Sequence, residues 1–156
     1  MNLSVQFQRL PHGEGLPLPD YAHDRDAGLD LRAALRGVFP STRIPYMLLP
    51  HCRVLVPTGF AIALPAALQG EVRGRSGLAR LHGIALVQGV GTVDSGYRGE
   101  IKVLLINHGS EPFTFDHGDR IAQLVIMPVI QAIPQESEFL DVTERGTDGF
   151  GSTGVD

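Results

Sequence analysis

No stretch longer than about eight residues carries a 3.6-residue apolar period, so this chain cannot be built around packed helices. It is laid out as short runs of β-formers ended by proline and glycine. From Arg53 onward Val54, Val56, Phe60, Ile62 and Leu64 are interrupted by Pro57, Gly59 and Pro65. Further strands are expected at 70–74, 84–88, 101–107, 113–115 and 120–130, with one short helix near 76–82. Upstream, Leu3, Val5 and Phe7 alternate as an edge strand, and Ala27 to Ala34 form an apolar strand carrying Asp30. Residues 37–52 contain three prolines and read as a loop. Its Ile44, Tyr46, Met47, Leu48 and Leu49 need cover from this domain or from a second subunit. The run from Ile121 to Ile130 is apolar on both faces and should be covered on both, for which a subunit contact is an easy source. The pattern is that of an all-β protein, a distorted jelly-roll-like β-barrel with one short helix.

At 156 residues the chain fits one domain, which buries roughly 70% of its unfolded surface and needs no cross-links. We read residues 1–142 as that domain and 143–156, with four glycines, as its mobile C-terminal arm. The single cysteine, Cys52, excludes an internal disulfide framework and suits a reducing cytoplasm. No apolar run approaches the ~20 residues of a membrane span, and no leader pattern opens the chain, so a soluble cytoplasmic protein is expected. A net charge of −4 argues against holding nucleic acid by its phosphates. An anionic ligand must therefore meet a local cluster of cations. Of 13 basic residues only Lys102 is a lysine, and no phosphate-loop glycine pattern surrounds it. The other twelve are arginines, whose planar forks suit phosphate oxygens, although codon bias gives the same count. Histidines 12, 23, 51, 82, 108 and 117 show no zinc-ligand spacing and read as surface or turn residues.

The stretch from Gln88 to Ile101 is where chemistry concentrates. Glycines at 89, 91, 96 and 99 punctuate β-formers, as in a hairpin whose backbone comes very close to something. Asp94 and, three residues on, Tyr97 would place one carboxylate and one ring against a pocket walled mainly by main chain. Taken alone, an aspartate there is more often a turn former. Arg75, Ser76 and Gly77 open the expected helix, a position that favours anions.

Val93-Asp94-Ser95-Gly96-Tyr97-Arg98-Gly99-Glu100 resembles the third motif of the homotrimeric dUTP pyrophosphatases, the dUTPases. Ala27 to Leu31 resembles the first motif, Arg75 to Ala79 the second, Gly118 to Leu124 the fourth, and Arg145-Gly146 with Gly149 to Ser152 the fifth. Five motifs in order are far more specific than any one. The resemblance implies hydrolysis of dUTP with Mg²⁺ in sites shared by three subunits. Asp94 would be the general base, and Gln88, Thr92, Val93 and Tyr97 would meet the nucleoside. Arg75, Ser76, Gly77, Gln123 and Arg145 would meet phosphates, with Phe150, Gly151 and Ser152 closing over the ligand and Lys102 lining the same pocket. No side chain is expected to bind the metal directly, Asp30 reaching it at most through water. Asp119 and Arg120 are read as structural, pinning neighbouring strands as a salt bridge. Gln88 stands where the family usually has Asn, and Gly96 where it usually has Asp. The sister family of dCTP deaminases shares some of these residues, but its catalytic glutamate falls at Leu104 here. A non-catalytic nucleotide-sensing trimer is the other alternative.

Overall fold

The computed structural model describes residues 3–39 and 45–149. Two antiparallel four-stranded sheets enclose one core. In the first, β1 (Gln6–Arg9) pairs with β4 (Arg53–Ala63), β4 with β8 (Glu100–Asn107), and β8 with β6 (Ile84–Leu86). In the second, β2 (Leu29–Arg32) pairs with β10 (Arg120–Pro128), β10 with β5 (Leu68–Arg73), and β5 with β7 (Val90–Asp94). A small pair, β3 (Tyr46–Leu48) with β9 (Phe113–Phe115), closes one end. The helix, α1 (Ser76–His82), links β5 to β6 and ends at Gly83, whose φ of 68° is left-handed. The fold is thus the all-β, jelly-roll-like class that the run pattern implies. Among the described residues no helix is long and apolar enough to cross a membrane.

Alternation explains the core. Along β8, Ile101, Val103 and Leu105 point inward while Lys102 points out. They meet Val56 and Ile62 of β4, Leu31 of β2, Val72 of β5, Val93 of β7 and Leu124 of β10. The expected double cover of the 120–130 run holds at Ile121, Ala122, Leu124 and Val125, but the strand stops at Pro128 and Ile130 is 95% exposed.

Two segments differ from the sequence reading. Pro57 and Gly59 do not break β4. They lie in a register shift between Pro57 and Ala61, where side chains replace ladder bonds. There the Thr58 hydroxyl donates to the Ile101 carbonyl (2.6 Å), and the Gly59 N–H donates to Glu100 (2.8 Å). The 37–52 segment is not all loop: Tyr46–Leu48 forms β3, which local pattern cannot reveal because its partner β9 is distant in sequence. Leu48 is buried and Tyr46 packs on Phe39 and Phe115, whereas Met47 and Leu49 are half exposed. Ile44 lies outside the described residues.

Two polar residues pin the loops. Asn107 is fully buried, donating to the carbonyls of Leu48 (3.0 Å) and Glu111 (2.8 Å) and accepting from Gly109 N–H (2.8 Å). Asn107→Val would orphan all three partners, and we expect a loss of about 2–4 kcal/mol in denaturant-induced unfolding. His117 sits in the turn before β10, where its Nδ1 accepts the Leu35 N–H (3.1 Å). Burial, and then the nearby Arg36, lower its pKa, while Asp116 opposes them in part. The folded state therefore favours the neutral ring. Its contribution is complete above the ordinary histidine value of 6.5 and is lost as pH falls through the lowered value. His117→Gln should lose less stability than the parent protein between pH 7 and 5 in thermal unfolding.

Candidate active site

Strand β10 is central in the second sheet, so Gln123 pairs with Asp30 on one side and with Arg73 on the other. That register gathers the first, second and fourth motifs. Asp30, only 14% exposed, lies 3.1 Å from the Arg120 guanidinium and 3.7 Å from that of Arg75. Arg75 also donates to the Arg120 carbonyl (3.2 Å), and the Gln123 amide donates to that of Gly74 (3.3 Å). A cleft of about 410 Å³ opens here, lined by Asp30, Arg75, Ser76, Gly77, Arg120 and Gln123. The first N–H groups of α1 have no intrahelical partner, and no side chain caps them. The cleft is a local cluster of cations and donors on an acidic chain.

Gly28 belongs to this cluster for a steric reason. A Cβ there would lie 2.4 Å from Gln123 Oε1. His23, read from sequence as a surface or turn residue, and Asp26 line the cleft as well. The expected Asp119–Arg120 bridge does not form, since Asp119 is held in the turn that precedes β10. Arg120 turns to Asp30, and Asp119 accepts the Asp116 N–H at 2.7 Å. Arg120 is therefore a wall of the cleft that sequence reasoning left out. The signal available was its place three residues before Gln123 in the fourth motif.

The Gln88–Ile101 stretch is not a hairpin paired on itself. Strand β7 belongs to the second sheet and β8 to the first, so the segment crosses between sheets. The crossing turns at Asp94, whose carbonyl accepts the Tyr97 N–H (3.1 Å). Thr92 and Asp94 face solvent, but the Val93 side chain is in the core and only its peptide groups are available to a ligand. Two of the glycines answer to close neighbours. At Gly91 a Cβ would fall 2.9 Å from the Gln88 amide nitrogen, and at Gly99 it would fall 2.3 Å from the Tyr97 hydroxyl oxygen. A cleft of about 640 Å³ beside Asp94 is lined by Ala67, Gln69, Ser95, Gly96 and Gln131 among others. Tyr97 is not on its walls; its ring lies over Gly99 and its hydroxyl donates to the Glu100 carbonyl (3.0 Å). Lys102 is elsewhere too, on the first sheet 3.8 Å from Glu100.

The two clefts are far apart within one chain. Asp94 lies opposite Gln69, and Arg75 is six residues further along the extended β5 backbone. At the rise of a strand that is about 20 Å, too far for one α-phosphate to touch both. Arg145, exposed, donates to the Asp148 carbonyl (3.0 Å) and joins neither cleft. Phe150, Gly151 and Ser152 lie outside the described residues. Among the described residues no group of three His, Cys, Asp or Glu side chains converges as an ion site.

Fold and clefts together define an all-β protein of the jelly-roll type with a cleft walled by two arginines at one end of its second sheet. The chain belongs to the dUTPase family, whose model, described as dUTPase, matches residues 14–154. It is 52% identical over 152 residues to a deoxyuridine 5'-triphosphate nucleotidohydrolase of Mesorhizobium japonicum, covering 97% of this chain and 91% of that protein. It is likewise 52% identical over 151 residues to the protein of that name from Maricaulis maris, covering 97% and 96%. The structure of the Staphylococcus bacteriophage 80alpha dUTPase with dUpNHpp superposes with a TM-score of 0.83 at 25% identity, over 99% of this chain and all of that one.

Gly28→Ala should displace Gln123 without unfolding the barrel. We expect nucleotide affinity to fall about tenfold in a direct binding titration, with the melting temperature little changed.

Proposed function

We propose that this chain hydrolyses dUTP to dUMP and pyrophosphate, which removes the precursor of uracil in DNA and supplies dUMP for thymidylate synthesis. The reaction takes place in sites assembled from several copies of the chain, three by family resemblance. The observation that carries the reading is the family match through residues 14–154 together with the contrast between its two motif carboxylates. Both oxygens of Asp30 face guanidinium groups, whereas Asp94 is exposed at the mouth of a cleft. Asp94 is therefore the carboxylate available to hold a water. That water attacks the α-phosphorus in line. A new P–O bond forms, the bridging P–O bond breaks, and the proton passes to Asp94 as pyrophosphate leaves.

The chain's remaining residues position and select. Arg75, Ser76, Gly77 and Gln123 of one copy hold the triphosphate, with Arg120 alongside. The 88–97 segment of another copy receives the nucleoside. Peptide groups around Thr92 and Val93 complement uracil, while cytosine would leave buried groups unpaired at about 1–3 kcal/mol each. Gln88 supports that segment, and the Tyr97 ring packs against the sugar face where a ribose hydroxyl would stand. Arg145, Phe150, Gly151 and Ser152 form an arm, residues 143–156, that closes over the ligand. The donors in the cleft suit a triphosphate whose own oxygens hold Mg²⁺, with Asp30 reaching the ion through water at most. When bound, the ion neutralises charge on the departing pyrophosphate. The cytoplasm is the compartment where this substrate is met.

Deamination of dCTP is disfavoured because Leu104, half-buried in β8 opposite Leu55, offers no acid or base. Ammonia release from dCTP would overturn that statement. The main test is pyrophosphate release from dUTP. Asp94→Asn should lose about 10³-fold or more in kcat while still binding a non-hydrolysable dUTP analogue. The shared site has its own test. Dissociating and reassembling Asp94→Asn with Arg75→Ala in equal amounts should restore about a quarter of the parent activity by random mixing of subunits. No recovery would mean that each site lies within one copy.

A further inference from the structure

Glu100, the first residue of β8, ties three distant segments together. Its Oε1 accepts the Gly59 N–H from the β4 bulge (2.8 Å) and faces His12 Nε2 at 2.6 Å. A carboxylate acceptor requires the proton to sit on that nitrogen. Its Oε2 lies 3.8 Å from the Lys102 ammonium. The side chains of Glu100 and His12 are only 11% and 21% exposed. His12 stands in the short 3₁₀ turn Pro11–Gly13, which is seated on the same bulge: Leu10 N–H donates to the Gly59 carbonyl (2.9 Å). A Cβ on Gly13 would fall 2.4 Å from the Gly59 carbonyl oxygen, so the two backbones touch. On the other side, the carbonyl of Glu100 accepts the Tyr97 hydroxyl, and the Tyr97 N–H reaches Asp94. Hydrogen bonds joined through the covalent frame of Glu100 thus link the N-terminal turn to the Tyr97 ring and to the main chain of Asp94.

We propose that Glu100, anchored by His12 and Gly59, is a positioning residue that holds the Tyr97 ring where it distinguishes deoxyribose from ribose. This rests on the function proposed above. The hydroxyl end of the ring is held twice, by its closeness to the Gly99 backbone and by its hydrogen bond to the Glu100 carbonyl, and both anchors move with the start of β8. The buried carboxylate ties that residue, paired with Ala61, to the bulged residues of β4 that precede Ala61. Sugar selection therefore depends on a histidine more than eighty residues away in sequence.

The experiment compares kcat/KM for dUTP and UTP. In Glu100→Ala the preference for dUTP should fall about tenfold, mostly through a higher KM for dUTP, because Tyr97 keeps its chemistry but loses its place. Glu100→Gln retains an oxygen for both donors and should stay within about threefold of the parent preference. His12→Phe leaves the nucleoside segment untouched and should lower the preference about threefold, and it serves where Glu100→Ala fails to fold. A lowered melting temperature with an unchanged dUTP-to-UTP ratio in these variants would overturn the proposal and leave Glu100 a purely structural residue. Parent protein that releases no pyrophosphate from dUTP would overturn the function itself, so the two failures are distinguishable.

Discussion

Strand β5 is paired along its length on both sides, with β10 and with β7, and acts as a rigid spacer. Its backbone is committed to two ladders, so it cannot bend to bring its ends together. At one end stands Asp94 beside Gln69; past the other end lie Arg75 and the start of α1. Everything else about the site follows from that spacing. The chain carries an exposed carboxylate at one end and a pair of arginines at the other, and holds them apart. In the function proposed above, further copies bring each end its complement.

The cleft also shows how a chain of net charge −4 brings two arginines together. Asp30 draws the guanidinium groups of Arg75 and Arg120 toward one another and reduces their repulsion before any anion arrives. Held arginines lose less freedom on binding a phosphate than two independent side chains would.

Local signals were legible and long-range ones were not. The helix at 76–82 and the strand at 113–115 came from nearby residues: a glycine stop, an alternation, a turn. Strand β3 was missed because Tyr46–Leu48 becomes a strand only through Phe113–Phe115. The continuity of β4 was missed because Pro57 and Gly59 are tolerated by partners outside the segment, namely Glu100 and Ile101. Within the site, the motif residues were legible by resemblance, and Asp30, Arg75 and Gln123 do meet. The position of Lys102 and the pairing of β7 were not, since they depend on which sheet accepts each strand. Arg120 was read as half of the wrong pair because adjacent residues invite pairing on paper, whereas Asp119 is held in the turn before β10.

The steric couples described above constrain how such a sequence can drift. Gly99 has no side chain because the Tyr97 ring occupies that space, and Gly28 has none because Gln123 occupies its own. Neither glycine can gain a methyl group unless the facing side chain moves, so a change at one position is felt at the other. At these two places the fold therefore couples the size of one residue to the rotamer of another.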